Sequence, residues 1–259
     1  VLKDHFFEIQ TKFIPRSEYS DFNFNNIFST LVFFEILFSI VITSKGSAAA
    51  KTIPSISFSI EDNLLGNFKT LSSFLICIPL AAYYSYAPIF VGDMNIEDVA
   101  AKMTLGQMSE VLFMLILPLL FARYGVKYIL LGGMLAWAVR YVLFAVSAST
   151  GTISLVFLGI IFHGICYDLF FVAGQVYVDK KSTADIRSQA QGFLVLITYG
   201  LGMFVGAQVA GYIYNLLLKG QTALSVQSWQ QFWLVFAVMT TVVIVYFFIG
   251  FKDKLNSKE

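Results

Sequence analysis

Long apolar runs separated by short polar segments dominate the hydrophobic pattern of this chain. Seven such runs can be read, at residues 27–43, 71–91, 104–122, 128–147, 152–177, 189–217 and 230–251. An α-helix rises 1.5 Å per residue, so ~20 apolar residues cross a hydrocarbon core of about 30 Å. Because a backbone in lipid must satisfy its own hydrogen bonds, each run is predicted to be a membrane-spanning helix. The run at 27–43 is the weakest, since it is short, carries Glu35 and follows a patternless segment at 1–26.

The composition supports the same interpretation. The chain has 259 residues, of which 58% are hydrophobic and 13% charged, and its mean hydropathy is +0.75. Soluble domains carry about 25% charged residues, so an all-α, polytopic membrane protein is predicted. The net charge of +1 and the lack of a basic cluster give no support for a nucleic-acid partner. Cys77 and Cys166 lie in apolar runs, which favours buried thiols over a disulfide framework.

Basic residues gather in alternate loops, and this asymmetry predicts the orientation. They precede the second run, lie between the third and fourth and between the fifth and sixth, and follow the seventh: Lys45, Lys51, Lys69, Arg123, Lys127, Lys180, Lys181, Arg187, Lys252, Lys254 and Lys258. By the positive-inside rule these loops are cytoplasmic, and so is the C-terminus. The segment 1–26 would then lie outside, which its own basic residues fit poorly.

A face of small residues lies in the sixth run. Gly202, Gly206 and Ala210 are spaced four apart, which places them on one side of a helix. Such a face lets another helix approach closely. Tight static packing and a sliding gate both remain open interpretations of this face.

Asp168 carries a charge inside the run at 152–177. A carboxylate near the centre of a span costs at least ~2.5 kcal/mol, so such residues normally face a polar cavity, have a partner or carry protons. We therefore expect Asp168 to mark an ion or substrate pathway. The alternative is a structural pair with Arg140, which lies near the outer end of its span and could instead extend its side chain toward the membrane surface.

Other polar residues fall at helical spacing near this acid. Gln107 and Glu110 are three apart and share one helix face. His163 and Tyr167 are four apart and share another, and Gln175 is expected two turns beyond Asp168 on the same stripe. Each admits a plainer interpretation, a hydrated interfacial carboxylate for Glu110 and a packed histidine for His163. Polar groups in apolar spans nevertheless favour one shared cavity.

Enzymatic and metal chemistry receive no support from the sequence. The two histidines, His5 and His163, are far apart, and no cysteine cluster accompanies them. No phosphate-binding glycine loop follows a strand, and no nucleophile motif stands out. We expect neither a cofactor nor a metal, and no catalytic residue.

Four ordered motifs carry a resemblance to a known family. They read GQMSEVLF, FARYGVKYILLGGMLAWAVRYVLF, HGICYDLFFVAGQVYVDKK and IRSQAQGF. Together they are similar to the C-terminal half of the nucleoside:proton symporters (nucleoside permeases), which belong to the major facilitator superfamily. The resemblance covers about 69–252. The third span also ends in a stretch that resembles the superfamily's gating loop, keeping Arg123, Gly125 and Lys127, whereas Ala122 replaces its usual aspartate.

The resemblance implies roles for individual residues. Gln107 and Glu110 match the amide and acid that hydrogen-bond the nucleoside, and Asp168 matches an aspartate needed for proton-coupled transport. His163 stands where the family often has a substrate-contacting tyrosine, and Tyr167 where it has a stacking phenylalanine, so the substrate preference is expected to shift. Tyr83 and Tyr84 occupy a place where some members have Gln and Asn, and Tyr84 is a candidate contact.

The same resemblance implies an architecture and a location. Residues 71–259 would form the six-helix C-terminal half of a major facilitator fold. Residues 27–70 would be one preceding helix with a cytoplasmic linker, and 1–26 a poorly defined segment. The chain begins with Val, and we expect it to be a fragment that needs the N-terminal helices of the same transporter, because a lone half cannot alternate access around a two-sided site. The expected location is the bacterial cytoplasmic (inner) membrane.

Two other functions compete with a nucleoside–proton symporter. A facilitator for a sugar or another small polar solute has the same architecture. A heptahelical receptor also has seven spans with an external N-terminus, and Ala122-Arg123-Tyr124 resembles its cytoplasmic motif without the acid. That class is disfavoured because the last span has no lysine for retinal and no cysteine pair joins the outer loops.

Overall fold

A computed structural model describes residues 68–182, 186–218 and 226–250. The predicted run at 27–43, the segment 1–26 and nearly all of 27–70 lie outside these described residues. Within them, the regular structure consists of helices. Their bounds are α1 Phe68–Asp93, α2 Val99–Thr150, α3 Ile153–Tyr167, α4 Ala173–Lys181, α5 Arg187–Val195, α6 Met203–Leu217 and α7 Val226–Gly250, with π-helical turns π1 Asp168–Val172 and π2 Leu196–Gly202.

The two π turns join neighbouring helices without a break, so the helices form five continuous stretches. Each is long and apolar enough to cross a membrane. The helical prediction for the six runs between 71 and 251 is confirmed across the described residues, but the helix count differs. The runs at 104–122 and 128–147 belong to the single 52-residue stretch α2, and the run at 27–43 is not described.

Two contacts show that α2 is folded back on itself. Glu110 and Arg140 both contact His163, although 30 residues of continuous helix would hold them about 45 Å apart. The chain reverses at Gly125, whose φ of 71° and ψ of 169° break the helix. Only glycine adopts this backbone region readily. We therefore describe α2 as two antiparallel segments, α2a (99–124) and α2b (126–150).

The reversal is anchored to the last helix. The Lys127 Nζ donates a hydrogen bond to the Phe248 carbonyl over 3.4 Å and lies 5.1 Å from the Phe248 ring centroid. Arg123 is exposed, with its guanidinium over the neighbouring Tyr124 ring. The predicted loop is therefore a sharp bend centred on Gly125.

The small-residue face of the sixth run packs against α1, as predicted. A Cβ atom added to Gly206 would lie 2.8 Å from the Cys77 carbonyl oxygen and the Ile78 Cα. One added to Gly202 would lie 2.8 Å from the Cys77 Cβ. These two glycines bring the backbones of α1 and the π2–α6 stretch into close contact.

Aromatic side chains from α1, α2b and α7 fill the core. Trp233 is fully buried, and its ring centroid lies 5.0 Å from that of Phe144 and 5.6 Å from that of Phe90. It also stacks on Tyr141 at 5.9 Å. Such aromatic pairs contribute about 0.5–1.5 kcal/mol each beyond their burial. The cluster holds α2b in position and thereby places Arg140, the neighbour of Tyr141.

Candidate functional site

His163 on α3 joins two oppositely charged side chains. Its Nε2 lies 2.9 Å from Oε1 of Glu110 on α2a, and its Nδ1 lies 2.9 Å from Nη1 of Arg140 on α2b. A guanidinium can only donate hydrogen bonds, so Nδ1 must accept. The ring proton of a neutral imidazole then sits on Nε2 and is donated to Glu110. A neutral histidine thus connects a buried cation to a partly exposed anion.

Arg140 is fully buried and held on several sides. Its Cζ lies 3.8 Å from the centroid of the Tyr83 ring, a cation–π contact. Its Nη2 donates to the Tyr141 hydroxyl over 3.3 Å, and that hydroxyl donates to the Pro79 carbonyl over 2.6 Å. The side chain therefore does not extend to the membrane surface, which was one prediction from its place in the sequence.

Close packing of α2a on α3 places Glu110 beside His163. The Gly164 backbone N–H donates to the Ser109 hydroxyl over 2.9 Å. A Cβ atom on Gly164 would overlap the backbone of Ser109 and Glu110, and one on Gly106 would lie 3.2 Å from the His163 Cβ. Sequence reasoning missed these supporting residues. The small-residue spacing Gly106–x–x–Ser109 facing Gly164 was the available signal.

Tyrosines surround the histidine. The Tyr83 ring stacks on the imidazole at 4.9 Å, and the Tyr84 hydroxyl lies 3.5 Å from Nε2. Tyr167 lies 5.8 Å from the imidazole between ring centroids, and its hydroxyl accepts a 2.6 Å hydrogen bond from Tyr199. The structure therefore brings the predicted residues Tyr84 and Tyr167 to the Glu110–His163 pair. Tyr199, in π2, was not predicted, although a tyrosine in an apolar span was a signal for it.

The cluster is open on one side. The Glu110 side chain keeps 15% of its surface exposed while it accepts from His163. Gln107, one turn earlier on α2a, is exposed, and Tyr84, Tyr167 and Tyr199 are half-buried. A carboxylate, an amide and aromatic rings in this part of the bundle are thus each at least partly exposed. We call Glu110, His163, Arg140, Tyr84 and Tyr167 the His163 cluster.

Asp168 has a different environment. It is fully buried at the first position of π1, and neither carboxylate oxygen makes a hydrogen bond of good geometry with a described residue, although the Met114 backbone interacts with it. Glu110 is close enough to act on it electrostatically. π-helical turns are frequently found at functional sites, and the sequence pattern did not predict this one.

The structure differs from two sequence interpretations that involve Asp168, the alternative pairing with Arg140 and the expected alignment with Gln175. Asp168 does not pair with Arg140, whose hydrogen bonds go to His163 and Tyr141. Gln175 does not share its face either, since Gln175 is exposed whereas Asp168 is buried. The physical reason is the wider turn of π1 between them, which breaks the 3.6-residue register used for the prediction.

Metal chemistry has no candidate in the described ranges. No group of three or more His, Cys, Asp and Glu side chains there could hold a metal ion. Hydrogen bonding, charge and aromatic contacts are the means of ligand recognition that the cluster provides.

Comparison with known proteins identifies a matching family and several similar proteins. The sequence profile of the nucleoside H+ symporter family matches residues 55–256. The putative nucleoside transporter YegT of Escherichia coli (strain K12) is 36% identical over 188 residues, covering 71% of this chain and 44% of that protein. The nucleoside permease NupG of the same organism is 34% identical over 169 residues, covering 64% and 39%. The E. coli xanthosine permease is 32% identical over 176 residues, covering 67% and 41%.

Solved structures give a similar result. The crystal structure of the nucleoside transporter NupG superimposes with a TM-score of 0.60 at 28% sequence identity, covering 74% of this chain and 50% of NupG. That of its D323A mutant also has a TM-score of 0.60, at 27% identity. The chain thus spans half or less of the length of these relatives, and it shares their helical transporter fold.

Proposed function

The chain belongs to the nucleoside H+ symporter family, and on this premise we propose that it supplies the C-terminal half of a carrier that moves nucleosides together with protons. The protein is then a transporter and not an enzyme. It works in the bacterial inner membrane with its C-terminus in the cytoplasm, and it requires the N-terminal helices that complete a major facilitator fold. The observation that carries the proposal is the Glu110 carboxylate, bonded to His163 on one side and partly exposed on the other.

The charge balance of the site favours a neutral solute. The Glu110 negative charge is offset by the buried Arg140 positive charge, transmitted through a neutral imidazole. A cationic ligand would therefore gain little net attraction, whereas hydroxyl and N–H donors can bond the exposed part of the carboxylate. The amide of Gln107 adds a donor and an acceptor, and the rings of Tyr84 and Tyr167 provide surfaces for a nucleobase. Nucleosides combine all of these groups.

Asp168 is proposed as the proton-coupling residue. A carboxylate without exposure and without a hydrogen bond of good geometry in the described structure is costly to keep charged. Protonation removes that charge, so proton uptake and release at Asp168 could accompany movement of the substrate. The bend at Gly125, with Arg123 and Lys127 beside it, is proposed as the gating element on the cytoplasmic side.

Binding measurements test the substrate assignment. In the carrier assembled with its N-terminal half, Glu110→Gln should weaken uridine or adenosine binding by about 1.5–3 kcal/mol, the worth of a hydrogen bond to a charged group. The exposed acid Glu97 offers a matched control, and Glu97→Gln should leave the affinity unchanged. Equal affinities for wild type and Glu110→Gln would remove Glu110 from the site.

Transport measurements test the coupling assignment. Asp168→Asn keeps the shape of the protonated side chain but cannot release a proton. This variant should bind nucleoside and fail to concentrate it when a pH step is imposed across vesicles. Asp98→Asn, at an exposed position, is the control. Accumulation by Asp168→Asn at the wild-type level would show that Asp168 serves structure alone.

A sugar or another small polar solute is the second candidate. The acid and amide of this site can bond any vicinal hydroxyls, and His163 and Tyr167 depart from the residues that the family often has there. A ligand-induced stabilisation screen with nucleosides and sugars separates the two functions, since only the true substrate class should raise the unfolding temperature.

A further inference from the structure

The contact between Arg140 and His163 has a consequence for the acid that faces the ligand. A neutral imidazole has two tautomers, and only the one with its proton on Nε2 can donate to Glu110. The Arg140 guanidinium donates to Nδ1 over 2.9 Å and so excludes the other tautomer and the doubly protonated ring. Arg140 itself does not contact the exposed side of the cluster, because it has no exposed surface.

We infer that Arg140 is a positioning residue that locks His163 in the Nε2–H tautomer, so that one oxygen of Glu110 is permanently engaged and the acid presents a fixed, ionised acceptor to the ligand. This inference rests on the proposed function for its last step, the presentation to a ligand. The locking itself is a property of Arg140, His163 and Glu110 alone.

Groups on α1 and on both segments of α2 surround His163, and Tyr167, one turn later in its own helix, lies 5.8 Å away between ring centroids. α1 contributes Tyr83, stacked at 4.9 Å, and Tyr84, whose hydroxyl lies 3.5 Å from Nε2. The two segments of α2 contribute Glu110 and Arg140. A positive charge on the imidazole would face the Arg140 guanidinium at hydrogen-bond distance, which is an unfavourable like-charge contact in a site that is 3% exposed.

Arg140 is itself held so that it cannot turn away. Its second terminal nitrogen bonds the Tyr141 hydroxyl, its face lies on Tyr83, and Tyr141 is fixed to the Pro79 carbonyl. Nη1 bonds the imidazole, whereas Nε has no hydrogen-bond partner among the described residues. A rigid donor on Nδ1 is what a tautomer lock requires.

Nitrogen NMR of the wild-type protein tests the lock without any substitution. In the carrier assembled with its N-terminal half and labelled with ¹⁵N-histidine, the imidazole pattern that disappears in His163→Gln is that of His163. We expect a protonated Nε2 and an unprotonated Nδ1 that do not change between about pH 8 and pH 5, the range in which a free imidazole titrates. A protonated Nδ1, or a doubly protonated ring within that range, would overturn the inference.

Variants at Arg140 then test whether the fixed tautomer of His163 contributes to nucleoside binding. Arg140→Met removes the donor at similar length, and it should give mixed tautomers and a uridine affinity lowered about tenfold to hundredfold. Arg140→Lys keeps a charged donor and should restore most of both. Unchanged tautomer and affinity in Arg140→Met would contradict the inference. If the wild type shows the locked tautomer but binds no nucleoside, the lock stands and the proposed function fails.

Discussion

The two acids inside this bundle, one partly exposed and the other fully buried, have different environments. Glu110 accepts a hydrogen bond from His163 and, through it, is balanced by Arg140. Asp168 lies nearby in a π-helical turn, with no exposed surface and no hydrogen bond of good geometry in the part of the chain that the structure describes. A bonded, charge-balanced carboxylate suits a permanent ligand acceptor. A fully buried carboxylate is costly to keep charged, which suits a group that gains and loses a proton.

The largest effect on this difference between the two acids is expected from substitution of His163, which connects Glu110 to Arg140. His163→Phe leaves both Arg140 and Glu110 without their shared partner, and removal of one member of a buried ionic arrangement costs about 3–5 kcal/mol. We expect a loss of that size in thermal or denaturant unfolding in detergent. His163→Gln is the control, since its amide can accept from Arg140 and donate to Glu110. Equal losses in both variants would mean that ring packing, and not the hydrogen bonds, holds the cluster.

The contrast also predicts opposite responses of the two acids to neutralisation. Glu110→Gln should lower the free energy of unfolding by about 1.5–3 kcal/mol, because it removes a hydrogen bond to a charged group. Asp168→Asn should leave stability unchanged or raise it, because it removes a carboxylate that makes no hydrogen bond of good geometry with a described residue. Both are measured at neutral pH by the same unfolding assay. A destabilised Asp168→Asn protein would point to an ionic partner for Asp168.

Alanine substitution of two glycines tests the difference between Glu110 and Asp168 by disturbing the helix packing near each acid. A Cβ on Gly164 would overlap the Ser109–Glu110 backbone, and one on Gly133 would lie 2.9 Å from the Phe170 backbone nitrogen in π1. Each alanine variant should lose about 1–3 kcal/mol of stability by overpacking. Gly164→Ala should mainly weaken nucleoside binding, whereas Gly133→Ala should mainly reduce proton-driven accumulation.

Gly132→Ala is the control for both glycine variants. Its Cβ would meet only the end of the Leu169 side chain, at an ordinary 3.5 Å. It should match the wild type in binding and uptake. Identical functional profiles for Gly164→Ala and Gly133→Ala would argue that the two regions act as one unit.

Several features of this protein follow from the sequence by itself. The apolar runs between 71 and 251 predict the membrane helices, because a predominantly apolar segment leaves water and must bond its own backbone there. The spacing of Gly202 and Gly206 predicts a close helix contact, which the structure contains. The presence of Glu110 and Asp168 in apolar spans marks them as costly and therefore of interest. Each of these inferences depends only on the local amino-acid composition and on the spacing of residues along one helix.

The partners of the buried charges were decided only by the tertiary structure. Arg140 pairs with His163 and not with Asp168, because glycines on α2a and α3 set how closely those helices approach, and the reversal at Gly125 brings α2b to the same histidine. The alignment of Gln175 with Asp168 depends on π1, since a wider turn rotates the residues after it relative to an α-helix. Helix approach and rotation come from contacts between segments distant in the chain, and a one-dimensional pattern does not contain them.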